Sequence, residues 1–287
     1  MKILAYTSDT SKATRVLQSL EHFKYDIQIF SAPYSSGHIP PGAGLRFIKD
    51  LGRDFYDDII FCLDMWDTVV TAPPDVLLQK YRDNYDGKIL FGADVDSSSR
   101  WHSASEVISR STNTKWVGLN GGTIIAPWKL LWDTIPENFD PKTNNEHWFT
   151  ARYMNGTDRN IAIDYDTKII LCVLGYIADE TNPHLHEEIL PSDLLVHETH
   201  VDNLVTGETP VVLHSNGELR DGIGILNYIA SNLTGYKPEP IKGPIVPYFR
   251  NGKIVAMIDS STKAPVGVIH HGRYITIEEM DKMHNYA

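Results

Sequence analysis

The chain has 287 residues, 42% of them hydrophobic and 22% charged, an ordinary balance for a soluble globular protein of one large domain or two small ones. A formal net charge of −11 and the absence of any basic run longer than two residues weigh against a broad nucleic-acid-binding face, though not against a local basic groove. The two cysteines, Cys62 in IIFCLD and Cys172 in IILCVLG, sit in apolar runs and read as buried free thiols, and nothing suggests a disulfide framework or a zinc site. No window approaches a membrane span, and the N-terminal apolar run is too short for a secretory signal. A cytoplasmic protein is expected, and the sequons at Asn155 and Asn232 carry no weight.

In chain order, KILAYT reads as a first strand ending at Thr7. Apolar residues at 13, 16, 17, 20 and 23 then mark a helix, and DIQIFSA a second strand. A Pro/Gly-rich loop (33–44) leads into a helix over LRFIKDLGRDF. DIIFCLD is the most buried strand, too continuously apolar for a one-sided sheet. Helix PDVLLQKYRDNY follows with Pro74 suited to its first turn, then strand KILFGAD. The glycine-bearing strand GLNGGTIIAP, helix EHWFTARYMN, strand-like IAIDYDTKIILCVLG and strand TPVVLHS continue the pattern. Alternating strands and helices predict an α/β domain with a mostly parallel sheet over 1–236. From Gly235 the composition turns proline-rich, and YFRNGKIVAMID carries an Asn-Gly hairpin signal. Residues 237–287 are expected to form a small β appendage ending in a short helix over 277–285.

The stretch LDMWD ends the buried strand on two carboxylates with a tryptophan between them. Asp64 and Asp67, three apart, cannot share a face of a continuous strand; they converge only where the strand stops and the chain turns. Converging carboxylates at a buried strand end suit a divalent cation, and a solvated acidic turn is the plainer alternative. His214, followed by Ser-Asn-Gly and then Arg220, ends another strand, and Arg46 follows GAGL; the loop amides and both arginines have phosphate-binding potential.

In order and spacing these pieces resemble the glycosyltransferase domain of the procollagen lysyl hydroxylase family, and more broadly a GT-A nucleotide-sugar transferase, over residues 2–236. AYTSDTSKATRVLQSLEHFKYDIQIF is similar to that family's opening strand–helix–strand, which places Thr7 on the donor-binding threonine. GAGLRFIK resembles its GGGQK loop, with Arg46 where a lysine is usual. FCLDMWDTVV resembles FVDSYDV, which implies metal ligation by Asp64 and Asp67 and stacking of Trp66 on uracil. VVLHSNGELR resembles HGNGPTK, which implies His214 as the third metal ligand and Asn216, Gly217 and Arg220 as the diphosphate-binding segment. The resemblance implies a UDP-sugar donor, Mn²⁺ or Mg²⁺ as cofactor, and a hydroxylated polymer acceptor, hydroxylysine-like by analogy. An imidazole ligand tilts the metal towards Mn²⁺.

The acceptor side departs from the family pattern. Thr143, Asn144 and Asn145 stand where aspartates precede the family's QLFYT, which leaves Glu146 as the nearby carboxylate. The family's LNSGG is GLNGG here, so Asn120, Gly121 and Gly122 take its donor-side place. Trp101 keeps the place of a family tryptophan, and Asp94, a second candidate carboxylate, replaces a glutamate. Two other enzyme readings are a transferase acting on hydroxymethylated pyrimidines in DNA, which the acidic balance disfavours, and a haloacid-dehalogenase phosphatase, whose acids are two apart rather than three. A nucleotide-sugar-binding protein without turnover is the alternative of a different class.

Overall fold

The continuous apolar run becomes an interior strand, β3 (Ile59–Leu63), paired with β1 (Lys2–Thr7) on one side and β6 (Gly118–Pro127) on the other. The computed structural model describes residues 2–7, 13–31, 40–52, 55, 57–94, 114, 116–173, 193–215, 222–238, 242–250, 253–261, 267–270 and 273–276. The large sheet also contains β2 (Ile27–Ser31), β4 (Thr68–Val70), β5 (Ile89–Asp94), β7 (Ile161–Asp164), β8 (Ile170–Val173) and β11 (Val212–Ser215). Its order is β2-β1-β3-β6-β5-β8-β11-β4, with β7 beside β5. Five pairings are parallel and three antiparallel, so the sheet is mixed but mostly parallel.

Both faces of the sheet are buried, which is why β3 and β5 read as unbroken apolar runs. Ile60, Ile89 and Phe91 join one core together with side chains of α2 (Ala43–Asp50), α4 (Trp128–Thr134), α5 (Asn145–Met154) and α6 (Gly222–Thr234). Phe61, Leu63 and Leu90 join the other with α1 (Thr14–His22) and α3 (Pro74–Tyr85). No helix among the described residues is long and apolar enough to cross a membrane.

The ladder order requires the sheet to curl. Only residues 64–67 separate β3 from β4, yet β4 lies five strands away in that order. Across a flat sheet this is about 24 Å at ~4.8 Å per strand. Five Cα steps span at most about 18 Å. The sheet therefore wraps, bringing β4 and its neighbour β11 back to the end of β3.

The segment 161–175, expected as one strand-like stretch, is two strands, β7 and β8, over its described part. The buried Asp164 carboxylate breaks it by accepting the amides of Lys168, Ile169 and Ile170 and the Tyr85 hydroxyl, while Thr167 adopts φ 56°. A small hairpin, β9 (Leu194–Val196) with β10 (Val201–Asn203), precedes β11. Past it, β12 (Ile245–Arg250) and β13 (Lys253–Asp259) form the hairpin expected around Asn-Gly, and β14 (Gly267–His270) pairs with β15 (Arg273–Thr276). Asp259 accepts the amides of Lys242, Gly243 and Ser261, and β14 lies against α6. The helix expected over 277–285 lies outside the described residues.

Candidate functional site

Strands β1, β3, β5, β8 and β11 run in one direction, because β6 is antiparallel to both β3 and β5 and the remaining links are parallel. Their carboxyl ends therefore share one edge, the place where open α/β sheets bind ligands. Thr7 ends β1, Asp94 ends β5, His214 lies one residue from the end of β11, and Asp64 follows β3. Asn120, Gly121 and Gly122 lie near the start of the antiparallel β6, at the same edge.

After Leu63 the chain turns. The Asp64 amide still donates to the Gly122 carbonyl (2.8 Å), and the Asp64 carboxylate accepts the Trp66 amide (3.1 Å). Met65 is buried and anchors the turn from inside, while Trp66 is half-buried against the second core. The Trp66 carbonyl is held by the guanidinium of Arg15, which also donates to Asn227 Oδ1 (2.7 Å). Arg15 is 6% exposed; burial works against its charge, and Tyr236 and Asp67 favour it. The Asp67 carbonyl accepts the Ser215 amide (2.7 Å), and β4 then pairs Thr68 with His214. The strand stops, turns and restarts, so both carboxylates point to one place.

Ligating atoms of Asp64, Asp67 and His214 lie within 4.8 Å of one another. Asp64 is exposed, whereas Asp67 is 4% and His214 3% exposed. His214 Nε2 is 3.2 Å from Asp67 Oδ1, out of line for a hydrogen bond, and neither ring nitrogen has a hydrogen-bond partner among the described residues. Asp64 keeps solvent contact but stands among densely packed protein atoms, and this desolvation, then the Asp67 charge, raises its pKa, with His214 and the Trp66 amide opposing. For His214, burial opposes the charged ring, but Asp67, Asp64 and Asp94 outweigh it and raise its pKa. A buried imidazole whose only close polar neighbour among the described residues is a poorly aligned carboxylate at 3.2 Å, with a second carboxylate nearby, is a costly arrangement. Two carboxylate oxygens and one imidazole nitrogen fit a divalent cation of the Mn²⁺ class.

Gly122 makes room for the imidazole: a Cβ there would lie 2.5 Å from His214 Cε1 and closer still to Nε2. Its neighbour Gly121 faces helix α5, where a Cβ would lie 3.3 Å from that of Glu146 and 3.2 Å from Asn145 Nδ2. Asn120 Oδ1 accepts the Gly122 amide (3.0 Å) and fixes this corner. Glu146 thus sits beside the same edge. Asp94, Glu146, Asp164 and Asp67 all act on the Cys172 thiol, whose pKa is raised first by burial and then by their charge.

The family model for the PLOD GT domain matches residues 2–238. The chain belongs to the PLOD GT domain family. It is a glycosyltransferase by family, and its curled, mostly parallel sheet between helices is a GT-A-like α/β fold. Similar solved structures include a glycosyltransferase involved in the glycosylation of the major capsid of PBCV-1, with 12% identity, 74% of this chain and 92% of that chain covered, and a TM-score of 0.39. Another is mouse xyloside xylosyltransferase 1 in its apo form, with 9% identity, 75% and 98% coverage, and a TM-score of 0.40. No curated protein matches the chain.

Against the pattern of the PLOD GT domain family, the structure brings Asp64, Asp67, His214, Asp94, Asn120, Gly121, Gly122 and Glu146 to one edge. Thr7 lies there by register, two residues past the Ala5–Leu63 pair. Arg46 is placed differently from a free phosphate-binding cation: its guanidinium bonds Asp50 (2.6 Å) and the Glu137 carbonyl (2.7 Å). Asn216, Gly217, Arg220 and Trp101 lie outside the described residues. Two of the residues that replace family aspartates have local roles. Asn144 caps α5 by accepting the His147 amide, and Asn145 accepts the Glu146 amide and reaches the Gly121 carbonyl. Sequence reasoning missed Arg15. Its signal was a lone charge on the inner stripe of α1, beside Val16 and in line with Ser19.

Proposed function

We propose that this protein is a metal-dependent glycosyltransferase that moves a hexose from a UDP-sugar to a hydroxyl on a polymer acceptor, hydroxylysine-like by family. The observation that carries the reading is the convergence of ligating atoms of Asp64, Asp67 and a buried His214 within 4.8 Å of one another. These three would hold Mn²⁺ or Mg²⁺, which, when bound, supplies positive charge to a nucleoside diphosphate leaving group. The rest falls to the chain. Trp66 offers a half-buried aromatic surface for the base, and Arg15 holds the backbone that presents it. Arg220, with Asn216 and Gly217, would bind the diphosphate, and Thr7 the donor. Arg46 would join them only by exchanging Asp50 for phosphate. Glu146, beside Gly121, is the favoured carboxylate near the reacting centre, as base or as stabiliser of positive charge on the sugar, and Asp94 is the second. Residues 237–287 are proposed to lie outside the catalytic unit.

A second reading, donor binding without turnover, draws on Asn144 and Asn145, which are engaged in capping and turn contacts where the family carries acids. A hydrolysis panel of UDP-, GDP- and CMP-sugars, with and without Mn²⁺, tests both. Turnover of one UDP-sugar only with metal is expected. Metal-independent turnover would refute the proposal, and UDP binding without any turnover would favour the second reading.

A further inference from the structure

A second cluster lies at the other end of the sheet. In the β9–β10 hairpin, Val196 pairs with Val201 and the His197 amide donates to the His200 carbonyl (2.9 Å), so the two histidines extend the ladder as cross-strand neighbours. Asp202 follows His200 by two, which puts it on the same face of the strand. The sequence His-Glu-Thr-His-Val-Asp thereby becomes a three-residue constellation on a single face. The imidazoles stack with centroids 4.2 Å apart and planes 17° from parallel, so a shared ion requires one ring to turn about its side-chain bonds until both in-plane lone pairs converge. Asp202 Oδ2 lies 3.0 Å from His197 Nε2 and 3.6 Å from His200 Nε2, and ligating atoms of all three lie within 4.8 Å of one another.

We infer that His197, His200 and Asp202 form a second metal site, one that takes a divalent transition-metal ion of the zinc class. Three features support this. Ligands about 2.1 Å from a tetrahedral ion sit about 3.4 Å apart, and the two nitrogen–oxygen separations bracket that value. The outer contacts turn the inner atoms towards one another: Thr209 Oγ1 donates to Asp202 Oδ1 (2.6 Å), leaving Oδ2 to the rings, where it shares a hydrogen bond with His197 Nε2 (3.0 Å) that an ion would replace, and Thr199 Oγ1 bonds His200 Nδ1 (3.0 Å), leaving Nε2. Such partners on the far atoms of ligands are the usual support of a metal site. Finally, two imidazoles with one carboxylate suit Zn²⁺, Co²⁺ or Ni²⁺ over Mg²⁺ or Ca²⁺. All three residues are half-buried, so solvent can supply a fourth ligand.

The site is separate from the cluster at Asp64. Asn203 bonds Thr167 ahead of β8, and Thr209 leads into β11, so the hairpin lies at the amino ends of the strands whose carboxyl side carries His214. Occupancy would clip the two strands of the hairpin together.

The test uses the full chain carrying Asp67→Ala and His214→Ala, titrated with Zn²⁺ by calorimetry and followed by thermal melts. One saturable equivalent of Zn²⁺ is expected, raising the melting temperature and resisting excess Mg²⁺. Adding His197→Asn and His200→Asn should abolish both effects. Because the first pair of substitutions lies in the core, the comparison is repeated on otherwise wild-type chain, where the two Asn changes should remove one Zn²⁺ equivalent and leave UDP binding in Mn²⁺ unchanged. Equal Zn²⁺ stoichiometry and equal thermal shift with and without the two histidines would overturn the site. Displacement by Mg²⁺ would overturn its assigned class.

Discussion

Replacing Gly122 with alanine tests how closely the carboxyl-end edge of the sheet is packed around His214. A Cβ at 122 would stand 2.5 Å from His214 Cε1, against an ordinary carbon–carbon contact of about 3.5 Å, so roughly 1 Å must be found. The ring has little room to yield, being 3% exposed and flanked by Cys172 and Thr68 on the neighbouring strands. Either the imidazole tilts away from Asp67, or β6 parts from Asp64, whose amide bonds the Gly122 carbonyl. Both outcomes spoil a site in which ligand distances must hold to about 0.2 Å. Overpacking costs the fold about 1–3 kcal/mol, roughly 2–4 °C of melting temperature per kcal/mol. UDP affinity in Mn²⁺ should fall about 10–100-fold, or about 1.4–2.8 kcal/mol, the scale seen when a metal ligand loses its support. Gly44→Ala is the control: it lies in α2 with nothing within 4 Å of its added carbon and should be neutral or stabilising by ~0.4–1 kcal/mol. Calorimetric UDP titrations beside thermal melts decide the matter. A folded Gly122→Ala protein that binds UDP in Mn²⁺ like wild type would refute the reasoning.

Trp66→Ala should weaken UDP binding by ~1–3 kcal/mol, the usual scale of base–aromatic stacking, and a lowered melting point with unchanged affinity would show that the ring serves only the core. Arg15→Met strands the Trp66 carbonyl and Asn227 Oδ1 at about 1–3 kcal/mol each, so melting temperature and UDP affinity should fall together; undiminished affinity in the folded variant would end its positioning role. Lysine should not rescue it, because a single ammonium lacks the fork that serves both acceptors. Glu146→Gln should slow sugar transfer while sparing UDP affinity, and a wild-type rate to the true acceptor would remove its proposed role. A chain ending at Tyr236 should still bind UDP but melt lower, since β14 lies against α6; loss of UDP binding in a well-folded truncation would place the appendage in the donor site.

Much of the candidate site is legible in local sequence, because it depends on a strand that stops. The apolar run ending in Asp-Met-Trp-Asp foretells a buried strand and a turn, and Gly-Leu-Asn-Gly-Gly foretells the entry to β6, whose limits match the expected segment. Helix α3 starts at the Pro74 that marks it. What local pattern cannot supply is the curl. His214 reaches Asp67 because β4 and β11 swing back to β3, and that follows from ladder order, including the antiparallel β6 inserted between β3 and β5. Family resemblance, not spacing, singled out His214. The break at Asp164 was hidden because a carboxylate satisfied by three amides and a tyrosine looks, in sequence, like one polar residue in a strand. Arg46 shows what loop composition does not carry: the partners of its guanidinium, which are the Asp50 carboxylate and the Glu137 carbonyl.

The most direct test of the central claim is a calorimetric titration of UDP into metal-stripped protein, repeated with Mn²⁺ and again after EDTA, for wild type and for alanine at Asp64, Asp67 or His214. Weak binding without metal, strong binding with Mn²⁺, reversal by EDTA, and loss of the metal dependence in each folded variant are predicted. UDP affinity that is the same in EDTA as in Mn²⁺, or a Mn²⁺ effect that survives all three substitutions, would contradict the account.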